Sequence, residues 1–65
     1  MNHVYFRVAC WMGLVLRAKS VEIGKNPQDG KWWVNATLVE SKPDGEDDIF
    51  MIRPEEIQSI EFVKE

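Results

Sequence analysis

Few side chains in this sequence of 65 residues could carry out covalent chemistry. His3 is the one histidine and Cys10 the one cysteine, so a zinc set cannot be formed, and no Ser/His/Asp arrangement stands out. Cys10 shares the apolar alternation of its segment, which favours inert packing over a reactive thiol. We therefore expect no catalytic residues, no metal and no cofactor, and hence a protein that is not an enzyme.

Arg53 is the side chain with the clearest potential for binding. It follows the apolar segment IFMI and precedes Pro54, and Glu55 and Glu56 come directly after the proline. Its guanidinium could contact a base or a phosphate. The alternative is a surface ion pair with one of the two glutamates. The sequence favours this pairing, because the neighbouring acids compete with phosphate for the charge.

Two adjacent tryptophans, Trp32 and Trp33, could provide a surface on which a nucleic-acid base stacks. In a strand they must point to opposite faces. Trp32 shares its face with Val34, Ala36 and Leu38, so we expect it in the core. Trp33 then points outward, where it could stack on a base or cover a subunit interface, and we favour the interface.

The charge balance limits the partners. Net charge is −3, which argues against non-specific nucleic-acid binding but allows a local positive site.

An acidic cluster could bind calcium, but it lacks EF-hand spacing and is typical of a solvated turn. It consists of Asp44, Glu46, Asp47 and Asp48. No apolar run reaches the roughly 20 residues that span a bilayer, so we expect no membrane partner. One cysteine and no signal peptide favour a cytoplasmic protein.

Period-two alternation of apolar residues predicts five strands and no helix of useful length. The predicted strands are Val4 to Cys10, Leu14 to Ile23, Trp32 to Ser41, Ile49 to Arg53 and Ile57 to Val63. Turns rich in Gly, Pro, Asn and Asp separate strands two, three and four. Gly13, before strand two, is expected to have a positive φ. Pro54-Glu55-Glu56 is predicted to form one helical turn between strands four and five.

The apolar residues of strand two move from even-numbered to odd-numbered positions near Lys19-Ser20. This parity switch predicts a bulge or sharp bend in the strand. A small five-stranded sheet with one apolar face must curl to bury a core. We therefore predict an all-β fold: a single domain over residues 1–65, built as a small, strongly bent, five-stranded antiparallel barrel of the SH3-like or OB-like kind.

Strand four is apolar on both faces, with Ile49 and Met51 opposite Phe50 and Ile52. This pattern favours coverage of the strand by another subunit over coverage by a loop of the same chain.

Several of these residues together resemble the Sm-like (LSm/Hfq-like) family. Ile52-Arg53 at the end of strand four, one tight turn, and then Ile57 and Ile60 are similar to the family's second motif, and Gly13 stands where its first motif has a glycine. The sequence departs from the family at Pro54, which replaces a glycine, and in the absence of an N-terminal helix.

The resemblance implies a ring of six or seven identical subunits, in which strand four of one subunit pairs with strand five of the next. It also implies a pore that binds single-stranded, often U-rich RNA, with Arg53, Asn26 and Asp29 as contacts. In the loop after strand two the family has an aspartate followed by an asparagine, whereas here Asn26 precedes Asp29. A ring of Arg53 and Lys25 side chains around the pore would favour RNA binding. The expected interface residues are Ile49, Met51, Trp33, Ile60 and Phe62. The alternative is a small barrel for assembly or protein contact with no nucleic-acid role.

Overall fold

The computed structural model describes residues 4–65 as one sheet of five antiparallel strands. These are β1 (Val4–Cys10), β2 (Val15–Lys25), β3 (Trp32–Leu38), β4 (Ile49–Ile52) and β5 (Ile57–Lys64). A single 3-10 turn, Pro54–Glu56, links β4 to β5. The order across the sheet is β4-β3-β2-β1-β5. The all-β, five-stranded fold is therefore confirmed, while His3 lies outside the described residues.

β2 bends at the position that the parity switch predicted. Its first half pairs with β1 and its second half with β3, and the register against β3 shifts between Ala18 and Ser20. Leu16 and Ala18 point to the core before this bulge, and Val21 packs against it afterwards. The bulge thus lets one strand contribute to both halves of a curled, barrel-like sheet.

The turns follow from their residues. Gly13 has a φ of 93°, as expected, and its N–H donates to the Cys10 carbonyl at 3.0 Å in the β1–β2 turn. β3 ends at Leu38, three residues earlier than predicted, although the next residue, Val39, still donates its N–H to the Arg17 carbonyl of β2 at 2.9 Å. No helix within residues 4–65 is long and apolar enough to cross a membrane.

The core is small and is built from β1 to β4. Its buried members are Val8, Cys10, Leu16, Ala18, Ala36 and Ile52, with Phe6, Val21, Leu38 and Ile57 packed at its margin. Val34 is also buried. The prediction that Trp32 belongs to the core is wrong, since this side chain is 55% exposed. Trp32 has the parity of Val34, but it is the first residue of β3 and lies opposite Lys25, past the end of the core.

Within residues 4–65 the sheet is not closed by hydrogen bonds, and β4 and β5 are its two edges. Both edges carry exposed apolar side chains: Ile49, Phe50 and Met51 on β4, and Ile60 and Phe62 on β5. Ile60 and Phe62 pair with Val8 and Phe6, so they share the core face, and they are exposed because β5 has no neighbour on its outer side. β4 is apolar on both faces, and no loop among the described residues buries its exposed side chains Ile49, Phe50 and Met51.

A pair of isoleucines tests this assignment of the core. Ile52 is 4% exposed and Ile23 is 66% exposed. Ile52→Ala should lower the free energy of unfolding by about 2–5 kcal/mol, because it leaves a cavity in the core. Ile23→Ala should change it by less than about 1 kcal/mol, since it removes little buried surface. Urea denaturation followed by circular dichroism measures both, and equal effects would contradict the assignment.

Candidate nucleic-acid interface

Trp33 is the centre of a cluster on the outer face of β3. Val34 pairs with Ile52, so Arg53 follows β4 at the level of Trp33. The Arg53 guanidinium carbon lies 5.0 Å from the Trp33 ring centroid, a cation–π contact. On the side of the β2–β3 turn, Trp33 Nε1 donates a hydrogen bond of 3.4 Å to Asp29 Oδ2. One aromatic ring therefore joins two of the predicted binding residues.

The predicted pairing of Arg53 with a neighbouring glutamate is present. Arg53 Nη2 lies 3.3 Å from Glu55 Oε1, and the arginine side chain is more buried than the glutamate. Arg53 Nε is buried and has no hydrogen-bond partner among residues 4–65. The guanidinium is thus held between an aromatic face and a carboxylate, with one N–H donor unused by the protein.

The β2–β3 turn uses its polar side chains to fix its own backbone. Asn26 Oδ1 accepts the N–H of Gln28 at 2.9 Å, and Asp29 Oδ1 accepts the N–H of Lys31 at 2.9 Å. Such local bonds are the reason why Asn and Asp favour turns. Asn26 is therefore a turn-forming residue in this structure, whereas Asp29 also reaches the cluster through Trp33.

The carboxyl group of Asp29 has a lowered pKa. The main cause is the hydrogen bond from the Lys31 N–H, and the bond from Trp33 and the charges of Lys31 and Arg53 act in the same direction, partly opposed by desolvation. Because hydrogen bonds and cations favour the charged form, Asp29 is ionised at neutral pH. The carboxylate holds the indole N–H and keeps Trp33 in place.

A shallow cavity of about 180 Å³ lies beside this cluster. It is lined by Gly24, Lys25, Asn26, Trp33, Asn35 and Met51. Gly24 is opposite Trp33 and Asn35 is opposite Met51 in the sheet register, so the cavity spans three strands. Asn35 Oδ1 is buried and has no hydrogen-bond partner among the described residues, which leaves an acceptor available to a ligand.

The structure brings together most of the residues that the sequence singled out. Arg53, Asp29, Asn26 and Lys25 all lie around Trp33 and its cavity, and Met51 lies at the cavity's β4 side. Ile49 begins β4, and Ile60 and Phe62 lie on β5, at the other edge of the sheet. Gly24 and Asn35 were not predicted, although Asn35 has the same strand parity as Trp33.

The acidic turn before β4 has local roles. Asp44 Oδ1 accepts the N–H of Glu46 at 3.0 Å, and Asp47 pairs with Lys19 Nζ at 2.6 Å. Over residues 4–65 no three His, Cys, Asp or Glu side chains are placed to hold a metal ion. These contacts fit a solvated turn with a structural function.

Comparisons of the chain with protein-family models, with curated proteins and with solved structures gave no match. The resemblance to Sm-like proteins therefore stays a prediction that rests on the residues quoted above.

The hydrogen bond from Trp33 to Asp29 leads to a pH-dependent prediction. In Trp33→Phe the indole donor is lost, so the pKa of Asp29 should rise but stay below its ordinary value of 3.8, since the Lys31 N–H remains. A folded-state pKa below the unfolded value stabilises the protein at neutral pH, and this contribution is lost as pH falls through the folded-state pKa. Carboxyl-carbon NMR titration of both proteins gives the two pKa values, and an unchanged Asp29 would contradict the contact.

Proposed function

We propose that this protein is a ring-forming, Sm-like homo-oligomer whose subunits join through β4 and β5, and that the Trp33–Arg53 cluster binds single-stranded RNA. The observation that carries the proposal is the pair of open sheet edges with exposed apolar side chains. The RNA part of the proposal rests on the residues gathered around Trp33.

The edges favour assembly for two reasons. An edge strand leaves a row of backbone N–H and C=O groups unpaired, and pairing β4 of one subunit with β5 of the next would satisfy both rows. The apolar side chains of the two strands would be removed from water in the same step, which supplies a hydrophobic driving force. Because β4 and β5 are different surfaces, their contact is head-to-tail and closes into a ring when the rotation permits.

The RNA site is supported by its chemistry. Arg53 supplies a charged planar group and Trp33 an aromatic surface, beside the cavity. Unpaired nucleic acid is bound by such combinations of cations and aromatic rings. With a net charge of −3 the affinity depends on this local site, so it should fall steeply with salt.

A second function has support from different observations. The ion pair between Arg53 and Glu55 and the acidic net charge both favour a small barrel for assembly or protein contact, without a nucleic-acid role. This second function requires self-association or a protein partner, and it differs from the first in that RNA is not bound.

The assembly is tested with a matched pair of methionines. Met51 lies on edge strand β4, and Met12, which is 76% exposed, lies in the β1–β2 turn. Met51→Lys should convert the oligomer to a monomer with an unchanged circular dichroism spectrum, because a charge would be buried at the joint. Met12→Lys should leave the mass unchanged. Light scattering that finds a monomeric wild type, or a fully assembled Met51→Lys, excludes the edge-to-edge ring.

RNA binding is tested with a matched pair of arginines, Arg53 and the exposed Arg7 of β1. Arg53→Gln should weaken binding of a short oligouridine about tenfold, since one stacking or charge contact is worth roughly 1–3 kcal/mol. Arg7→Gln should bind nearly as the wild type does. Fluorescence polarisation at low salt gives the affinities, and an intact oligomer that binds no RNA would support the second function.

A further inference from the structure

The exposed side chain of Trp32 has no part in the site described above. Its side chain makes no aromatic, cation–π or hydrogen-bond contact within residues 4–65. Trp33 differs, because it is partly buried and is already in contact with Arg53 and Asp29. Of the two neighbouring tryptophans, Trp32 therefore has the freer aromatic surface.

The surroundings of Trp32 are apolar and positive. Lys25 is its cross-strand partner, Lys31 precedes it, and the exposed Ile23 lies diagonally across on the same face. The nearest acid in the turn, Asp29, directs its two oxygens to the Lys31 N–H and to Trp33 Nε1. The face around Trp32 thus combines an exposed aromatic ring with the cross-strand cation Lys25 in a chain that is acidic as a whole.

We infer that Trp32 is a second base-stacking surface, on the opposite face of the β2–β3 hairpin from Trp33, and that its ligand is unpaired nucleic acid. This inference rests on the proposed RNA-binding function and deepens it. Lys25 would neutralise a phosphate next to the stacked base. A duplex does not fit this chemistry, because its base faces are already stacked and cannot reach the indole.

Hydrogen bonds close the backbone of the turn that leads into Trp32. Asn26 N–H bonds to the Lys31 carbonyl at 2.8 Å and Gly30 N–H bonds to the Asn26 carbonyl at 2.8 Å, which closes the turn immediately before Trp32. Gly30 has a φ of 68°, a conformation that other residues adopt at a cost. A turn backbone that is closed before binding loses little conformational entropy when a base stacks on the residue that follows it. Trp32 and Trp33 on opposite faces would then each hold a base of a strand that passes around the hairpin.

The experiment compares four variants of the full-length protein with the wild type in binding a short oligouridine at low salt. Trp32→Ala should weaken binding about tenfold, equal to about 1.4 kcal/mol. Trp32→Phe, which keeps a π face, should retain most of the affinity. Trp32→Leu keeps apolar bulk without a π face and should resemble Trp32→Ala, which it replaces if that variant is unfolded. Trp11→Ala is the control, because Trp11 is 68% exposed and lies in the β1–β2 turn.

The outcomes separate this inference from the function on which it rests. If the wild type binds RNA and the alanine and leucine variants bind equally well, Trp32 is not a stacking surface, although the RNA function stands. If the wild type binds no RNA, both are overturned. If these variants instead lower the mass measured by light scattering while the monomer stays folded, a neighbouring subunit covers Trp32 and the inference is wrong. A loss of affinity in Trp11→Ala equal to that in Trp32→Ala would likewise overturn it.

Discussion

The bulge in β2 determines how the rest of the chain is arranged. Up to Ala18 the strand pairs with β1, and from there it pairs with β3, so its side chains must change parity to keep facing one core. A straight strand would place Val21 and Ile23 on the outer face. The bend instead curls the sheet around a core of mostly small and medium side chains. A chain of 65 residues can bury little more than this, so its apolar edges are left without cover.

Local patterns were sufficient to predict much of this fold. Alternation indicated the five strands, the parity switch at Lys19-Ser20 indicated the bulge, and Gly13 indicated a turn with positive φ. Each depends on a few consecutive residues and on the steric rules of the backbone. Trp32 was misassigned because parity tells which face a side chain takes but not where the core ends along the strand. That limit depends on how far β2 and β3 extend together past β1 and β4.

The site was predictable only in part, for a related reason. Arg53, Asn26, Asp29 and Lys25 were recognised by type and by their place beside strand ends. Their meeting around Trp33 depends on the register of β3 against β4 and on the turn of the β2–β3 hairpin. The cavity residues Gly24 and Asn35 depend on the same pairings, and neither has a local pattern that marks it. Long-range register is therefore the information that a single sequence does not provide.

Arg53 shows how an acidic chain could bind RNA at one point. Its ion pair with Glu55 is largely exposed on the glutamate side and should contribute no more than about 1 kcal/mol. The cation–π contact with Trp33 is of similar size, about 0.5–1 kcal/mol at an exposed site. Neither contact uses Arg53 Nε, which is buried and has no hydrogen-bond partner among residues 4–65. Exchanging Glu55 for a phosphate would then require little free energy, while the stacking on Trp33 is kept. Glu55 is thus a weak competitor for the guanidinium, because its ion pair with Arg53 is largely exposed on the glutamate side and contributes little free energy.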